Sequence, residues 1–222
     1  MKASHPRPPA PGRQVLVCFA LPEEASAFLK RVADRPDICI LITGIGRKNS
    51  ERTLLERLNR LPPRRVLTCG FAGGLDPALA PGDVLCATDD QELRGQLTAA
   101  GAQPAKFLCV TRIATTRQEK QELRRTTGAG AVEMESEAMH AICRERGIPC
   151  ATVRVISDAA NEDLPLDFNQ LSKPDLSLDY GKLLWAIAKS PGRIPGLLRL
   201  QKNCRLAAQR LAVVLATVTR LD

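Results

Sequence analysis

Acidic side chains stand at three points of the sequence where a predicted strand ends or a predicted helix begins. Glu133 and Glu135 lie at the start of one helix, Asp158 ends the strand that follows it, and Glu24 lies in the first turn of an earlier helix. α/β proteins collect their chemistry at the carboxyl ends of strands and at helix N-termini. The three acidic positions are therefore candidates for one site, in which carboxylates could exchange protons or bind hydroxyl groups.

The elements that would position these residues alternate along the chain. Apolar runs rich in β-branched residues predict strands, and the stretches between them predict helices. This alternation indicates an α/β fold, a three-layer sandwich with a central sheet flanked by helices. The predicted strands are Val15–Ala20, Ile38–Thr43, Arg65–Cys69, Asp83–Ala87, Phe107–Val110 and Pro149–Ile156, and the predicted helices include Pro22–Val32, Arg117–Thr126, Glu135–Arg146, Tyr180–Lys189 and Pro195–Thr219.

The composition predicts three regions in a chain of 222 residues. Residues 1–13 are rich in proline, have no apolar core of a signal peptide, and are expected to form a flexible arm. Residues 14–177 form the main domain, in which 161–177 is expected to be a loop beside the site. Residues 178–222 form a basic helical segment that packs on the domain or extends it.

The net charge of +8 is concentrated in that last segment, where eight Lys or Arg residues stand from Lys182 onward against one acid. The rest of the chain holds 24 basic and 23 acidic residues, so we expect no nucleic-acid partner. In the final helix, Arg199, Lys202, Arg205 and Arg210 lie opposite an apolar face. Such a helix is expected to dock on the sheet or to make weak peripheral contact with an anionic membrane.

The eight cysteines form no CxxC pair, and most lie in apolar runs. They are interpreted as reduced, buried thiols of a cytoplasmic protein. We expect no metal site, because the two histidines lack ligand spacing with them, and we expect no membrane-spanning segment.

A glycine-rich stretch, CGFAGG, follows the predicted strand Arg65–Cys69. Glycines here let the backbone turn and approach a ligand closely. The pattern is neither GxGxxG nor a Walker loop, so it does not favour a dinucleotide or ATP. By itself it is equally typical of a tight turn.

Three motifs in order, CGFAGGLDPALAPGDV, AVEMES and VRVISDAA, resemble the purine nucleoside phosphorylase and nucleosidase superfamily. The resemblance covers residues 15–161. Within the superfamily, the sequence is similar to the branch that includes methylthioadenosine/S-adenosylhomocysteine nucleosidase. It implies a mixed central sheet, cleavage of the N-glycosidic bond of an adenosine-type purine nucleoside, no cofactor, and a homo-oligomer, as a dimer.

The resemblance also implies a role for each motif residue. Glu24 would activate the attacking water, and Asp158, beside Ser157, would protonate purine N7. Glu135 would bind the ribose hydroxyls, and Glu133 is either part of the site or a structural carboxylate. The other implied substrate contacts are Phe71, Ala72, Gly73 and Met134, and Ile113 could cover the base in place of an aromatic residue.

The chemistry requires these residue types independently. Breaking a glycosidic bond builds oxocarbenium character on the sugar, and the departing purine needs a proton. Asp158 would therefore have to be protonated, or to share a proton, when substrate is bound. Glu24 has an alternative use, since acids also stabilise a helix N-terminus.

The sequence departs from the nucleosidase pattern in ways that leave the substrate open. Phe71 replaces a small residue and could reshape the channel between sugar and base, and Ile113 stands where a stacking phenylalanine is usual. Glu23 and Glu24 occupy the turn in which phosphorylases carry an arginine, which favours hydrolysis because carboxylates repel phosphate. Arg47 and Arg112 leave phosphorolysis open.

Two further alternatives stay open. The hopanoid-associated phosphorylase branch, whose substrate is an adenosyl lipid, is similar in its motifs and in its basic tail. A non-catalytic surface-binding protein that keeps the fold is the alternative of another class. It is favoured only if Glu24, Glu135 and Asp158 do not meet in one pocket.

Overall fold

The computed structural model describes residues 14–171 and 180–220. The predicted arm at 1–13 lies outside these residues. So do 172–179, which include the end of the predicted loop and the predicted boundary between 177 and 178.

The first half of the chain alternates strands and helices, as predicted, except that the strands at 65–74 and 84–88 follow one another. Each strand is a short apolar run, and each helix begins close after the preceding strand ends. The elements are β1 (Val15–Phe19), α1 (Pro22–Leu29), β2 (Ile38–Ile42), α2 (Arg47–Arg60), β3 (Arg65–Gly74), β4 (Val84–Thr88) and α3 (Gln91–Ala99).

The second half begins with two short strands in succession, then alternates helices and strands and ends in helices. In its described part, residues 161–171, the predicted loop carries a short helix at Phe168–Leu171, and a 3-10 turn, Pro191–Arg193, precedes the last helix. The elements are β5 (Gln103–Pro104), β6 (Phe107–Cys109), α4 (Arg117–Thr127), β7 (Ala131–Glu133), α5 (Ser136–Glu145), β8 (Cys150–Asp158), α6 (Phe168–Leu171), α7 (Tyr180–Lys189) and α8 (Ile194–Val218).

Within the described residues, the strands form one mixed eight-stranded sheet. Its main path runs β2-β1-β3-β8-β4-β5, with β1, β2, β3 and β8 parallel and β4 antiparallel to β8. The end of β3 also pairs with β7, which pairs with β6. Because β1, β3 and β8 are parallel, their carboxyl ends meet at one edge of the sheet.

Helices cover both faces of the sheet, which confirms the predicted three-layer sandwich. On one face, Phe28 of α1, Leu97 of α3 and Leu211 of α8 pack with strand residues in one core cluster. On the other face, Leu54 of α2 and Met139 of α5 form a second cluster. No helix in the described residues is long and apolar enough to cross a membrane.

The glycine-rich stretch is a strand and not the predicted turn. β3 continues through Gly74, because Gly70–Gly73 pair with residues 154–158 of β8, with an irregularity between Ala72 and Gly73. A Cβ at Gly70 would lie 2.4 Å from Arg154 Nη1 and 2.7 Å from Glu24 Oε1. Glycine is therefore needed here for the close approach of two side chains.

The sequence interpretation missed α3 and β5. Only Leu93 and Leu97 of α3 are buried, so the helix carries a weak apolar pattern. Its start is fixed by the Asp90 side chain, which accepts a hydrogen bond from Leu93 N at 3.0 Å. A two-residue strand such as β5 is too short to give a pattern.

The last helix docks through its C-terminal half. Leu211, Leu215 and Val218 are fully buried against the sheet, as predicted. The N-terminal half is more exposed and includes Leu198, which is 60% exposed. α8 is therefore a structural part of the core along half of its length.

We predict that Leu211→Ala lowers the free energy of unfolding by about 2–5 kcal/mol, because it leaves a cavity in a packed core. Val213→Ala on the same helix is the matched control, since Val213 is 46% exposed, and should change it by less than about 0.5 kcal/mol. Urea denaturation followed by circular dichroism measures both. Equal losses in the two variants would contradict the docking.

Candidate active site

A cavity of about 210 Å³ lies at the carboxyl ends of β1, β3 and β8. It collects side chains from distant parts of the sequence, because the parallel strands end at one edge. All ten predicted site residues line it: Glu24, Phe71, Ala72, Gly73, Ile113, Glu133, Met134, Glu135, Ser157 and Asp158.

A buried arginine, Arg154 of β8, organises the acidic side of this cavity. Its Nη2 donates to Glu133 Oε2 at 2.6 Å and to Glu135 Oε2 at 3.1 Å. Its side chain is 1% exposed. Burial acts to lower the pKa of Arg154, but Glu133, Glu135 and Glu24 raise it above the ordinary value. The guanidinium is thus a fixed positive charge among three carboxylates.

Glu133 is a satisfied carboxylate at the start of α5. Its Oε2 accepts from the backbone N–H groups of Glu135 and Ser136 at 3.0 and 2.9 Å, and its Oε1 accepts from Ser136 Oγ at 2.7 Å. Burial alone would raise the pKa of Glu133, but Arg154 and these hydrogen bonds together lower it. This geometry favours the structural alternative over direct substrate contact.

Glu135 faces the cavity with weaker stabilisation of its charge. Its Oε1 accepts from the backbone N–H of Gly46 at 2.9 Å, at the start of α2. Burial raises the pKa of Glu135, Arg154 opposes this effect, and Glu133 adds to it. The carboxyl group is held in one orientation and keeps free lone pairs for a ligand.

Glu24 lies on α1 and reaches across to β3. Its Oε2 accepts from Leu21 N at 3.0 Å and its Oε1 from Phe71 N at 2.8 Å. Burial raises the pKa of Glu24 to about 7, although Arg154 and the Phe71 N–H act to lower it. A carboxylate with a pKa near neutrality is suited to general-base work.

Asp158 lies at the end of β8 and is hydrogen-bonded on both oxygens. Ser157 Oγ donates to Oδ1 at 2.6 Å, and Lys120 Nζ donates to Oδ2 at 2.5 Å. Lys120 belongs to α4 and is fully buried. This end of the cavity is therefore separate in its contacts from the Arg154 network.

Ile113 is held in place by a side chain from the predicted loop. The Ile113 N–H donates to Asn169 Oδ1 at 2.9 Å, and Asn169 Nδ2 donates to the Ile113 carbonyl at 2.9 Å. This reciprocal pair fixes the segment that carries Ile113 over the cavity. It supports the prediction for the described part of the loop, residues 161–171, which lies beside the site.

Phe71 lines a second and larger cavity, of about 900 Å³, as well as the first. This cavity lies between α1 and α8 and includes Lys30, Arg31 and Arg205. The position of Phe71 between the two spaces agrees with the expectation that it shapes the channel.

The two arginines considered as an anion site are engaged elsewhere. Arg47 pairs with Glu51 at 2.7 Å, Arg112 pairs with Glu119, and both arginine side chains are more than half exposed. Neither is among the described residues that line the 210 Å³ cavity. In the described segments, no group of three or more His, Cys, Asp or Glu residues could hold a metal ion.

The sequence interpretation missed Arg154, Lys120 and Asn169. Arg154 carried a usable signal, because a charged residue inside the apolar run VRVIS must be paired if the strand is buried. Lys120 carried none, since it stands in a polar helix among other charges. Asn169 follows a loop whose path the sequence does not fix.

Comparison with known proteins gives matches along most of the chain. A family model described as the phosphorylase superfamily matches residues 22–107 and 105–188. The 5'-methylthioadenosine/S-adenosylhomocysteine nucleosidase of Glaesserella parasuis is 27% identical over 168 residues, or 60% of this chain and 73% of that protein. The enzyme of the same name from Staphylococcus carnosus is 26% identical over 177 residues, or 64% and 78% of the two chains.

Solved structures show the same fold. Futalosine hydrolase of Helicobacter pylori aligns with a TM-score of 0.73 at 16% identity, covering 95% of this chain and 98% of that chain. The 5'-methylthioadenosine/S-adenosylhomocysteine nucleosidase of the same organism, bound to butyl-thio-DADMe-Immucillin-A, gives 0.73 at 17% identity, covering 95% and 99%. Since the family model matches well over half of the length of this chain, the chain belongs to the phosphorylase superfamily.

Proposed function

We propose that the protein hydrolyses the N-glycosidic bond of an adenosine-type purine nucleoside. The observation that carries this proposal is that Glu24, Glu135 and Asp158 line one cavity. Each of the three carboxyl groups meets a different requirement of the reaction. Their meeting in one cavity favours an enzyme over a non-catalytic protein that keeps the fold. The similar nucleosidases support the reaction class.

In the proposed reaction, the attacking water lies beside the Glu24 carboxylate. Glu24 has a pKa of about 7 because it is buried, so near neutral pH it can take a proton from water as the oxygen approaches the anomeric carbon. Its two backbone hydrogen bonds fix its orientation and leave further lone pairs for the water.

Glu135 and Asp158 act on the two ends of the nucleoside. Glu135 accepts hydrogen bonds from the ribose hydroxyls. These hydrogen bonds strengthen as positive charge develops on the sugar. Asp158 is oriented by the hydrogen bond from Ser157. It lies beside N7 of the purine and protonates that nitrogen. Met134 packs beside the ribose and Ile113 covers the base, while Glu133 holds Arg154 in place.

Hydrolysis is favoured over phosphorolysis by the charges around the cavity. Glu24 lines it and Glu23 stands next to it in the chain, whereas the arginines Arg47 and Arg112 are paired with glutamates outside it. A phosphate dianion at this position would lie against carboxylates. Phosphorolysis, including that of an adenosyl lipid, is the alternative that the next experiment separates.

We predict that purine release from a panel of nucleosides with varied 5' groups is unchanged by added phosphate. The sugar product should be the free sugar, because water is the nucleophile. Chromatography of the base, with phosphorus NMR of the products, measures both. A sugar 1-phosphate would assign the protein to the phosphorylases, and no release from any nucleoside would overturn the proposed function.

We predict that kcat/KM rises with pH up to about 7 and falls about tenfold per unit below that value, because Glu24 acts only when deprotonated. Glu24→Gln should lose at least about 100-fold in kcat. Glu23→Gln, at the exposed neighbouring position, is the matched control and should retain the activity and its pH profile. A Glu24→Gln variant with the wild-type profile would assign the base elsewhere.

The start of α8 and the preceding helix present apolar side chains beside basic ones. Trp185 and Leu198 are 62% and 60% exposed, and Lys189 lies 3.9 Å from the centre of the Trp185 ring. This surface supports weak contact with an anionic membrane. The dimeric state and the cytoplasmic location stay predictions drawn from the resemblance and the composition.

We predict salt-sensitive cosedimentation with phosphatidylserine vesicles, at about 1 kcal/mol for each nearby basic residue. Trp185→Ser with Leu198→Ser should reduce binding. Leu55→Ser on α2, where Leu55 is 37% exposed, should leave it unchanged. If the double variant binds as the wild type does, these helices make no membrane contact.

A further inference from the structure

Lys120 is a fully buried lysine whose ammonium group forms hydrogen bonds at and just after the end of β8. Its Nζ donates to Asp158 Oδ2 at 2.5 Å, to the Ala159 carbonyl at 2.9 Å and to the Glu162 carbonyl at 3.0 Å. An ammonium has three donors, and all three are used. A lysine is almost never fully buried without such partners.

The contacts of Asp158 raise a question about the proton. Both of its oxygens accept hydrogen bonds, one from Ser157 and one from Lys120. A carboxylate in an ion pair with an ammonium, as the 2.5 Å contact between Asp158 and Lys120 indicates, carries no proton of its own, yet a departing purine needs one. In such an ion pair the proton belongs to the ammonium of Lys120, which does not line the cavity, whereas Asp158 does.

Moving that proton within the pair leaves its total charge unchanged. The ammonium and carboxylate become an amine and a carboxylic acid, and both forms sum to zero. Burial disfavours separated charges, so Asp158, which is 8% exposed, is well placed to take the proton. Ser157 can keep its hydrogen bond to Oδ1 in either form.

Building on the proposed function, we propose that Lys120 supplies the proton that reaches the leaving purine by way of Asp158. As the bond from the anomeric carbon to N9 breaks, its electron pair goes to the purine. Asp158 gives a proton to N7 and receives one from Lys120, which becomes a neutral amine. The water oxygen bonds to the anomeric carbon and its proton goes to Glu24, so charge balances.

Lys120 is therefore a positioning residue that acts through Asp158, and two variants separate its possible contributions. Lys120→Arg keeps a buried cation but cannot release its proton. Lys120→Gln removes the charge but can still donate to the carbonyls. Lys106→Gln is the matched control, because Lys106 is exposed and its Nζ donates to the Thr127 carbonyl at 2.7 Å, outside the cavity.

We expect Lys120→Arg, Lys120→Gln and Asp158→Asn each to lower kcat for purine release by about 10²–10⁴-fold, with KM changed by less than about fivefold. Lys106→Gln should behave as the wild type. Combining Lys120→Gln with Asp158→Asn should cost little more than either alone, because the two residues act as a unit. Melting temperatures show whether each variant is folded.

A leaving-group comparison separates proton supply from packing. The loss in the Lys120 variants should shrink at least about tenfold for the riboside of 6-chloropurine, a base that leaves more readily as an anion. A packing defect would slow both nucleosides equally. Lys120→Arg with kcat within about threefold of wild type, or equal losses for the two bases, would overturn the proposal. The wild type still releasing purine would then leave the proposed function intact.

Discussion

The buried guanidinium of Arg154 is the interaction on which the site depends. One of its nitrogens bridges Glu133 and Glu135, and another reaches the point where β3 has no side chain, at Gly70, beside Glu24. Removing one partner of a buried ion pair costs about 3–5 kcal/mol, because it leaves an uncompensated charge. The arginine, the glycine and the acids therefore require one another.

One positive charge among three carboxylates divides them into different states. Glu133 receives the shortest contact from Arg154 as well as backbone donors, and its pKa is lowered. Arg154 and hydrogen-bond donors stabilise the charged forms of Glu24 and Glu135 less. The effect of burial therefore dominates and raises the pKa of both. The same network can therefore fix one acid as permanent structure while leaving another with a pKa near neutrality.

The sequence could predict the parts of this arrangement that rest on local patterns. Apolar runs gave the strands, and the ordered motifs around Glu24, Glu135 and Asp158 placed these acids in one cavity. The strand character of Gly70–Gly73 could not be predicted, because it comes from pairing with β8, which is distant in sequence. Lys120 and Asn169 were missed for the same reason, since their meaning lies in contacts made across the fold.

Strand β8 joins the stability of the fold to the geometry of the site. Side chains alternate along a strand, so Val153 and Val155 face the core cluster that holds α8, while Arg154 falls on the other face. Arg154 holds Glu133 and Glu135 at one end of the cavity, and Asp158, held by Lys120, lies at the other. The two ends are four residues apart on one rigid strand, and each is held by a partner from a different element. Arg154, which holds Glu135, and Asp158 therefore take their positions from the packed sheet and not from a loop.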